Sequence, residues 1–382
     1  MNKLVEKARK QKVGLVLGGG GARGAYECGV VKALEQLDIK ADIAVGTSVG
    51  SLIAACYAEN RIDSAIDMWA HMETSTIFEI KDNPSSKDYF REFLLRGGAD
   101  STPLRNGLDN FMSEKAIRKS SVEYGLVTAD FPSMTPRYLW KEDIPEGRLL
   151  DFMAASCAAF PAVHTYEIDG KTYIDGGYVN NLPVCMAREK GAEFIIAVEL
   201  DRHDSDKIAP GPPDETYILI KPKFPLGFIL NFRSERSKEA MILGYLETLK
   251  AFGILSGDLY TFEKDEFSDS ELSQLEPLCQ FFEIEPTAVY NRESINLLIR
   301  EKAKIFRNNY SKAIENRLST LISFASFSTL RNIKIRGHVV LYILDSFKAY
   351  GLDSIFATKY LMSIIPDEIR AARYMLNNHI DA

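Results

Sequence analysis

The sequence has few cysteines, and their spacing suits no cross-link. The five are Cys28, Cys56, Cys157, Cys185 and Cys279, an odd number with no C-x-x-C pair. A disulfide framework and a cysteine zinc site are both disfavoured, which leaves buried reduced thiols as the reading. Long apolar runs are also missing. No stretch reaches the roughly 20 apolar residues of a membrane span. Positive charge is not in excess: 46 Lys and Arg stand against 53 Asp and Glu, for a net charge of −7. That balance argues against a nucleic-acid partner. The opening residues MNKLVEKARKQK carry no apolar stretch of the signal-peptide kind. The expected location is therefore the cytoplasm, with peripheral membrane contact as an option.

What is present suits a large folded chain. Hydrophobic residues make up 46% and charged residues 26% of 382 positions, close to the globular average. Val13–Leu17 reads as a buried strand ending at four glycines, and Ala25–Leu37 as a helix. Ile43–Val45 then reads as a strand, Gly46–Gly50 as a turn and Leu52–Tyr57 as a helix start. Strands alternating with helices predict an α/β fold with a mainly parallel sheet. Further expected strands are Tyr138–Trp140, Lys171–Ile174, Phe194–Val198 and Tyr217–Ile220, with helices over Leu149–Ala159 and Val184–Lys190. The α/β pattern fades beyond the stretch Ala209–Pro213, and from about residue 235 the chain reads as helices. The expected organisation is a catalytic domain at 1–205, an extension packed on it at 206–255, and a helical C-terminal region at 256–382.

Three local patterns carry chemistry. Gly46-Thr47-Ser48-Val49-Gly50 fits G-x-S-x-G. Its glycines free a sharp strand-to-helix turn from side-chain clashes, and the turn presents the Ser48 hydroxyl at the positive end of a helix. The loop Gly19-Gly20-Gly21-Ala22-Arg23-Gly24 formally fits the dinucleotide pattern G-x-G-x-x-G. That reading requires an acid at the end of the second strand, and here the strand ends in Gly46-Thr47-Ser48. No Gly-Lys-Ser/Thr follows, so the loop is not a phosphate loop either. Its better use is an oxyanion hole, where converging backbone N–H groups meet a tetrahedral oxyanion. Arg23 orients the loop, attracts a phosphate or forms a surface ion pair. Asp175-Gly176-Gly177 ends a strand on the edge where such sites lie. Asp175 could take the serine proton directly, helped by partial burial. Of the five histidines, His203 is the main candidate for a triad, and a Ser48–Asp175 dyad is preferred.

GGGARG at 19–24, GTSVG at 46–50 and DGG at 175–177, in this order, resemble the patatin-like phospholipase family. The small-residue stretch Ala154–Pro161 and the stretch Tyr178–Pro183 look like that family's flanking segments. The likeness covers about the first 200 residues. It implies a three-layer patatin-like fold with a mainly parallel central sheet for that part and says little of the helical C-terminal region. It also implies a serine acyl hydrolase of lipid esters, of phospholipase A or lysophospholipase type. Ser48 would be the nucleophile and Asp175 the base. The amides of Gly19, Gly20 and Gly21, with Ala22 and Arg23, would form the oxyanion hole. Gly24, Gly46, Gly50, Gly176 and Gly177 would support the motifs. No metal or other cofactor is implied. The alternative is a lipid- or protein-binding module on the same fold.

Two further segments draw attention. Pro222–Phe232 is rich in Phe and Leu and reads as core, as a lid or as an interfacial contact. Residues 291–336 hold ten Lys/Arg and three Glu, 10 − 3 = +7. They form a solvated helix face or a contact with anionic membrane.

Overall fold

The computed structural model describes residues 2–72, 98, 102–201, 216–308 and 333–380. The chain divides into two compact units, Met1–Ile254 and Leu255–Ala382.

The first unit is a mixed α/β domain whose sheet follows from its buried apolar runs. In chain order it contains α1 (Lys3–Lys10), β1 (Val13–Leu17), α2 (Ala25–Gln36), β2 (Ile43–Thr47), α3 (Val49–Ala58), α4 (Ile62–His71), α5 (Thr102–Phe111), α6 (Glu114–Lys119), β3 (Glu123–Asp130), β4 (Thr135–Trp140), α7 (Leu149–Ser156), β5 (Tyr166–Ile168), β6 (Lys171–Asp175), α8 (Val184–Glu189), β7 (Phe194–Val198), β8 (Tyr217–Ile220) and α9 (Ser234–Ala251). Among the described residues the sheet has eight strands, seven in the order β5-β6-β3-β2-β1-β7-β8, and β4 pairs with β3 off this path. The run β3-β2-β1-β7-β8 is parallel. The edge formed by β4, β5 and β6 is antiparallel. Strands β1, β2 and β7 are buried at every position. Central parallel strands covered on both faces require this.

Helices cover the sheet. Val184, Met186 and Ala187 of α8 pack with Val16, Val45, Ile195 and Ala197 in one core cluster, while α3 lies against β1, β2 and β3. Helix α9 seats on α2 at very close range. A Cβ on Gly29 would collide with the Met241 backbone, and one on Gly244 with the Tyr26 carbonyl. Two glycines on facing helices thus let the backbones touch. This seat steers residues 221–233, which lead into α9, across the N-terminal end of α2.

The expected strands and helices of the first unit appear with small shifts. The turn after β2 is tighter than expected: β2 continues to Thr47 and α3 starts at Val49, leaving Ser48 alone between them. The structure adds β3 and β5. The stretch Ala209–Pro213 and His203 lie outside the described residues.

The second unit contains β9 (Thr261–Phe262), α10 (Asp269–Phe281), β10 (Val289–Tyr290), α11 (Arg292–Asn308), α12 (Ile333–Tyr350), α13 (Lys359–Ile364) and α14 (Pro366–Asn377). Ser268 and Glu271 form a reciprocal capping box at the start of α10, which satisfies two otherwise orphaned donors. The Glu276 carboxylate gathers the N–H groups of Asp258, Leu259 and Tyr260. Of the basic segment 291–336, residues 309–332 lie outside the described residues. Within the rest, Arg292 pairs with Glu271, Arg307 with Asp345, and Arg336 with Glu368. No helix among the described residues is long and apolar enough to cross a membrane.

Candidate active site

Four chain segments separated in sequence meet at the carboxyl ends of β1, β2 and β6. Ser48 forms the corner between β2 and α3 with φ 54° and ψ −130°. This is a costly conformation for a residue with a side chain, worth on the order of 1–3 kcal/mol. The corner exists because its flanking glycines have no side chain. A Cβ on Gly46 would strike the Gly50 backbone, and one on Gly50 the Leu17 carbonyl. The Ser48 N–H donates to Ser156 Oγ at 2.9 Å, and that hydroxyl donates to the Val127 carbonyl at 2.6 Å. Helix α7 and strand β3 therefore hold the serine's backbone.

Asp175 ends β6, and its N–H donates to the Ala158 carbonyl at 2.9 Å. Its Oδ1 accepts the Gly177 N–H at 2.7 Å. The carboxyl and Ser48 line the same cavity. Burial pushes its pKa up to about 6, although the Gly177 N–H and the Ser48 hydroxyl pull the other way. A buried carboxylate with so little help from positive charge becomes a better base than one in water. Burial holds the Cys157 thiol neutral by raising its pKa.

The glycine loop follows β1 and lines the same cavity through Gly19, Gly20 and Gly21. Its amides are unequally committed. Gly19 N–H donates to Asn181 Oδ1 at 3.0 Å, and Asn181 Nδ2 returns a bond to the Gly19 carbonyl at 3.2 Å. Ala22 N–H donates to the Ile229 carbonyl at 2.7 Å, and Arg23 N–H to the Gly20 carbonyl at 3.2 Å. Among the described residues, the N–H groups of Gly20 and Gly21 have no protein acceptor. Arg23 Nε donates to the Gly227 carbonyl at 3.0 Å, Nη1 to the Leu200 carbonyl at 3.4 Å, and Nη1 lies 3.9 Å from Asp201. Of the three roles open for Arg23, the ion pair is present with Asp201, alongside bonds that tie the side chain to the Leu200 and Gly227 carbonyls. Gly24 is the N-cap of α2, and Gly176 and Gly177 form the turn after Asp175.

The cavity over these groups has a volume of about 970 Å³. Leu52, Ile53, Trp69, Leu108, Leu230 and Phe232 supply much of its apolar wall. Trp69 and Phe232 stack with ring centroids 5.7 Å apart. His71 also lines the cavity, as do Asp175 and Cys157. Ser156 and Asn181 belong to none of the three motifs. Both sit in the small-residue and Asn-Asn stretches already singled out, so the signal was available there.

Residues 15–188 match the family model of patatin-like phospholipase. Over this stretch the chain is similar to patatin-like phospholipases. The mouse patatin-like phospholipase domain-containing protein 6 is 32% identical over 206 residues, covering 52% of this chain and 14% of that protein. Lysophospholipase NTE1 of Coccidioides immitis is 29% identical over 215 residues, covering 54% of this chain and 12% of the fungal protein. The match to each relative thus spans a small fraction of its length. A solved structure of human GIVD cytosolic phospholipase A2 aligns with a TM-score of 0.43 at 11% identity, covering 66% of this chain and 61% of that one.

Proposed function

We propose that this protein is a serine hydrolase of lipid carboxylic esters, with Ser48 as nucleophile and Asp175 as its base. The observation that carries the reading is the meeting of three things in one apolar cavity: a strained serine, a buried carboxyl with its pKa near 6, and two uncommitted amides. Ser48 Oγ attacks the ester carbonyl and its proton passes to Asp175. The N–H groups of Gly20 and Gly21 receive the oxyanion. Such donors contribute about 3–4 kcal/mol each when removed from comparable sites. The alcohol leaves with the proton from Asp175. Water then attacks the acyl-serine, again giving its proton to Asp175, and the fatty acid departs as Ser48 is restored.

The apolar wall suits an acyl chain. The relatives' names favour a phospholipid or lysophospholipid as the ester. Hydrolysis of phosphatidylcholine and lysophosphatidylcholine by the native chain, Ser48→Ala and Asp175→Asn tests the reading. Both variants are expected to lose at least about a thousandfold in kcat/KM while remaining folded. Full turnover by Ser48→Ala would overturn it and leave the lipid-binding module as the account of the fold.

A further inference from the structure

The segment between β8 and α9 forms part of the cavity and also part of the outer surface. Ile229, Leu230 and Phe232 line the cavity that holds Ser48. Ile229 is also 37% exposed, and Phe228 beside it is 45% exposed. Tyr178 lines the same cavity and is exposed as well, with its hydroxyl bonded to the Phe160 carbonyl. Ile229 and Tyr178 therefore face both the solvent and the cavity. A water-soluble substrate would not need large side chains so placed, whereas a lipid leaving a bilayer would.

The segment is also fixed to the glycine loop. The Ile229 carbonyl accepts the Ala22 N–H, and the Gly227 carbonyl accepts Arg23 Nε. Gly21 takes φ +54°, and a Cβ there would collide with the Ile229 carbonyl. The apolar tip is thus set against the cavity's rim. Its flanks are basic. Residues 221–236 hold Lys221, Lys223, Arg233 and Arg236 against Glu235, 4 − 1 = +3, in a chain of net charge −7. Arg233 and Arg236 are exposed, Arg236 with Glu239 beside it at 3.6 Å. Cations around an apolar tip complement a bilayer with anionic headgroups.

We infer that residues 221–236 dock this protein on an anionic lipid bilayer, inserting Phe228 and Ile229 so that the cavity opens onto the membrane. The inference rests on the lipid-ester reading of the site and names the surface from which its substrate arrives. The docked tip carries no catalytic group. It positions the cavity mouth at the interface and holds the Ala22 and Arg23 contacts in place.

The test uses the full chain carrying Ser48→Ala, so that vesicles survive. Flotation with phosphatidylcholine vesicles containing phosphatidylserine should show binding that weakens with salt. Adding Phe228→Glu should weaken it about tenfold or more. Arg233→Ala with Arg236→Ala should weaken it several-fold on anionic vesicles only. In the Ser48 background, Phe228→Glu should hydrolyse a soluble short-chain ester within about twofold of native, since Phe228 does not line the cavity. Independently of any loss of binding, Phe228→Trp should show emission quenched by brominated acyl chains. Unquenched emission from bound protein, or vesicle binding unchanged by Phe228→Glu, overturns the inference, as does a lack of binding to any vesicle. The two readings fail separately. Soluble-ester turnover without docking leaves the hydrolase standing, and docking through Phe228 without turnover removes the hydrolase alone.

Discussion

The pH dependence of catalysis should follow Asp175. Its carboxyl is buried, and burial raises its pKa from 3.8 to about 6. Only the ionised form can accept the Ser48 proton. At pH 5 about a tenth of the carboxyl is ionised, and at pH 7 about nine-tenths, so kcat/KM should fall about tenfold per unit below pH 6. The same displacement acts on stability with the opposite sense. The native state holds this proton more tightly than the unfolded chain. Its contribution is therefore fully present below about pH 4 and is lost as pH rises to about 6. The loss amounts to about 3 kcal/mol at most. Asp175→Asn should remove both effects: no turnover, and no decline in stability from this group between pH 4 and 6. The assay is initial rates on a soluble ester from pH 4.5 to 8.5, alongside urea unfolding of the native protein and Asp175→Asn. A rate profile flat down to pH 4.5, or one governed by a group near pH 7 in Asp175→Asn as well as native protein, would refute the reasoning.

Other outcomes follow from the same contacts. Ser48→Gly should unfold about 1 kcal/mol harder than Ser48→Ala, because glycine relieves the strain at φ 54° that alanine keeps; matched thermal melts measure this. Asn181→Ala should lower kcat with little change in KM, by about ten- to a hundredfold, because it frees Gly19 from its two-bond clamp; steady-state kinetics on a soluble ester read the split. Gly29→Ala should destabilise the first unit by about 1–3 kcal/mol or more, since its methyl would enter the Met241 backbone; denaturant unfolding tests the cost.

The parts of the site readable in the sequence are those encoded locally. Gly46, Ser48 and Gly50 lie within five residues, and the corner they form needs the missing side chains at Gly46 and Gly50. The alternation of strand and helix from Val13 to Tyr57 was legible for the same reason. Strand β3 was harder to see, since Glu123–Asp130 mixes polar residues into its apolar run and owes its place to pairing with β2, β4 and β6. The supporting contacts span long separations. Asn181 reaches Gly19 across 162 positions and Ser156 reaches Ser48 across 108. The division of the loop's amides into committed and uncommitted ones is also tertiary. The Ile229 carbonyl reaches Ala22 because α9 sits on α2, which no spacing along the chain reports. Five residues of the loop could be named as oxyanion donors from sequence, and the hydrogen bonds favour Gly20 and Gly21 among them.

The central claim is that the Ser48 hydroxyl is activated by the carboxyl beside it. A fluorophosphonate probe followed by peptide mass mapping tests it most directly. The account predicts one adduct on Ser48 in the native protein, none in Ser48→Ala, and greatly slowed labelling in Asp175→Asn. A native protein left unlabelled, or labelling of Ser48 at the same rate without the Asp175 carboxyl, would contradict it.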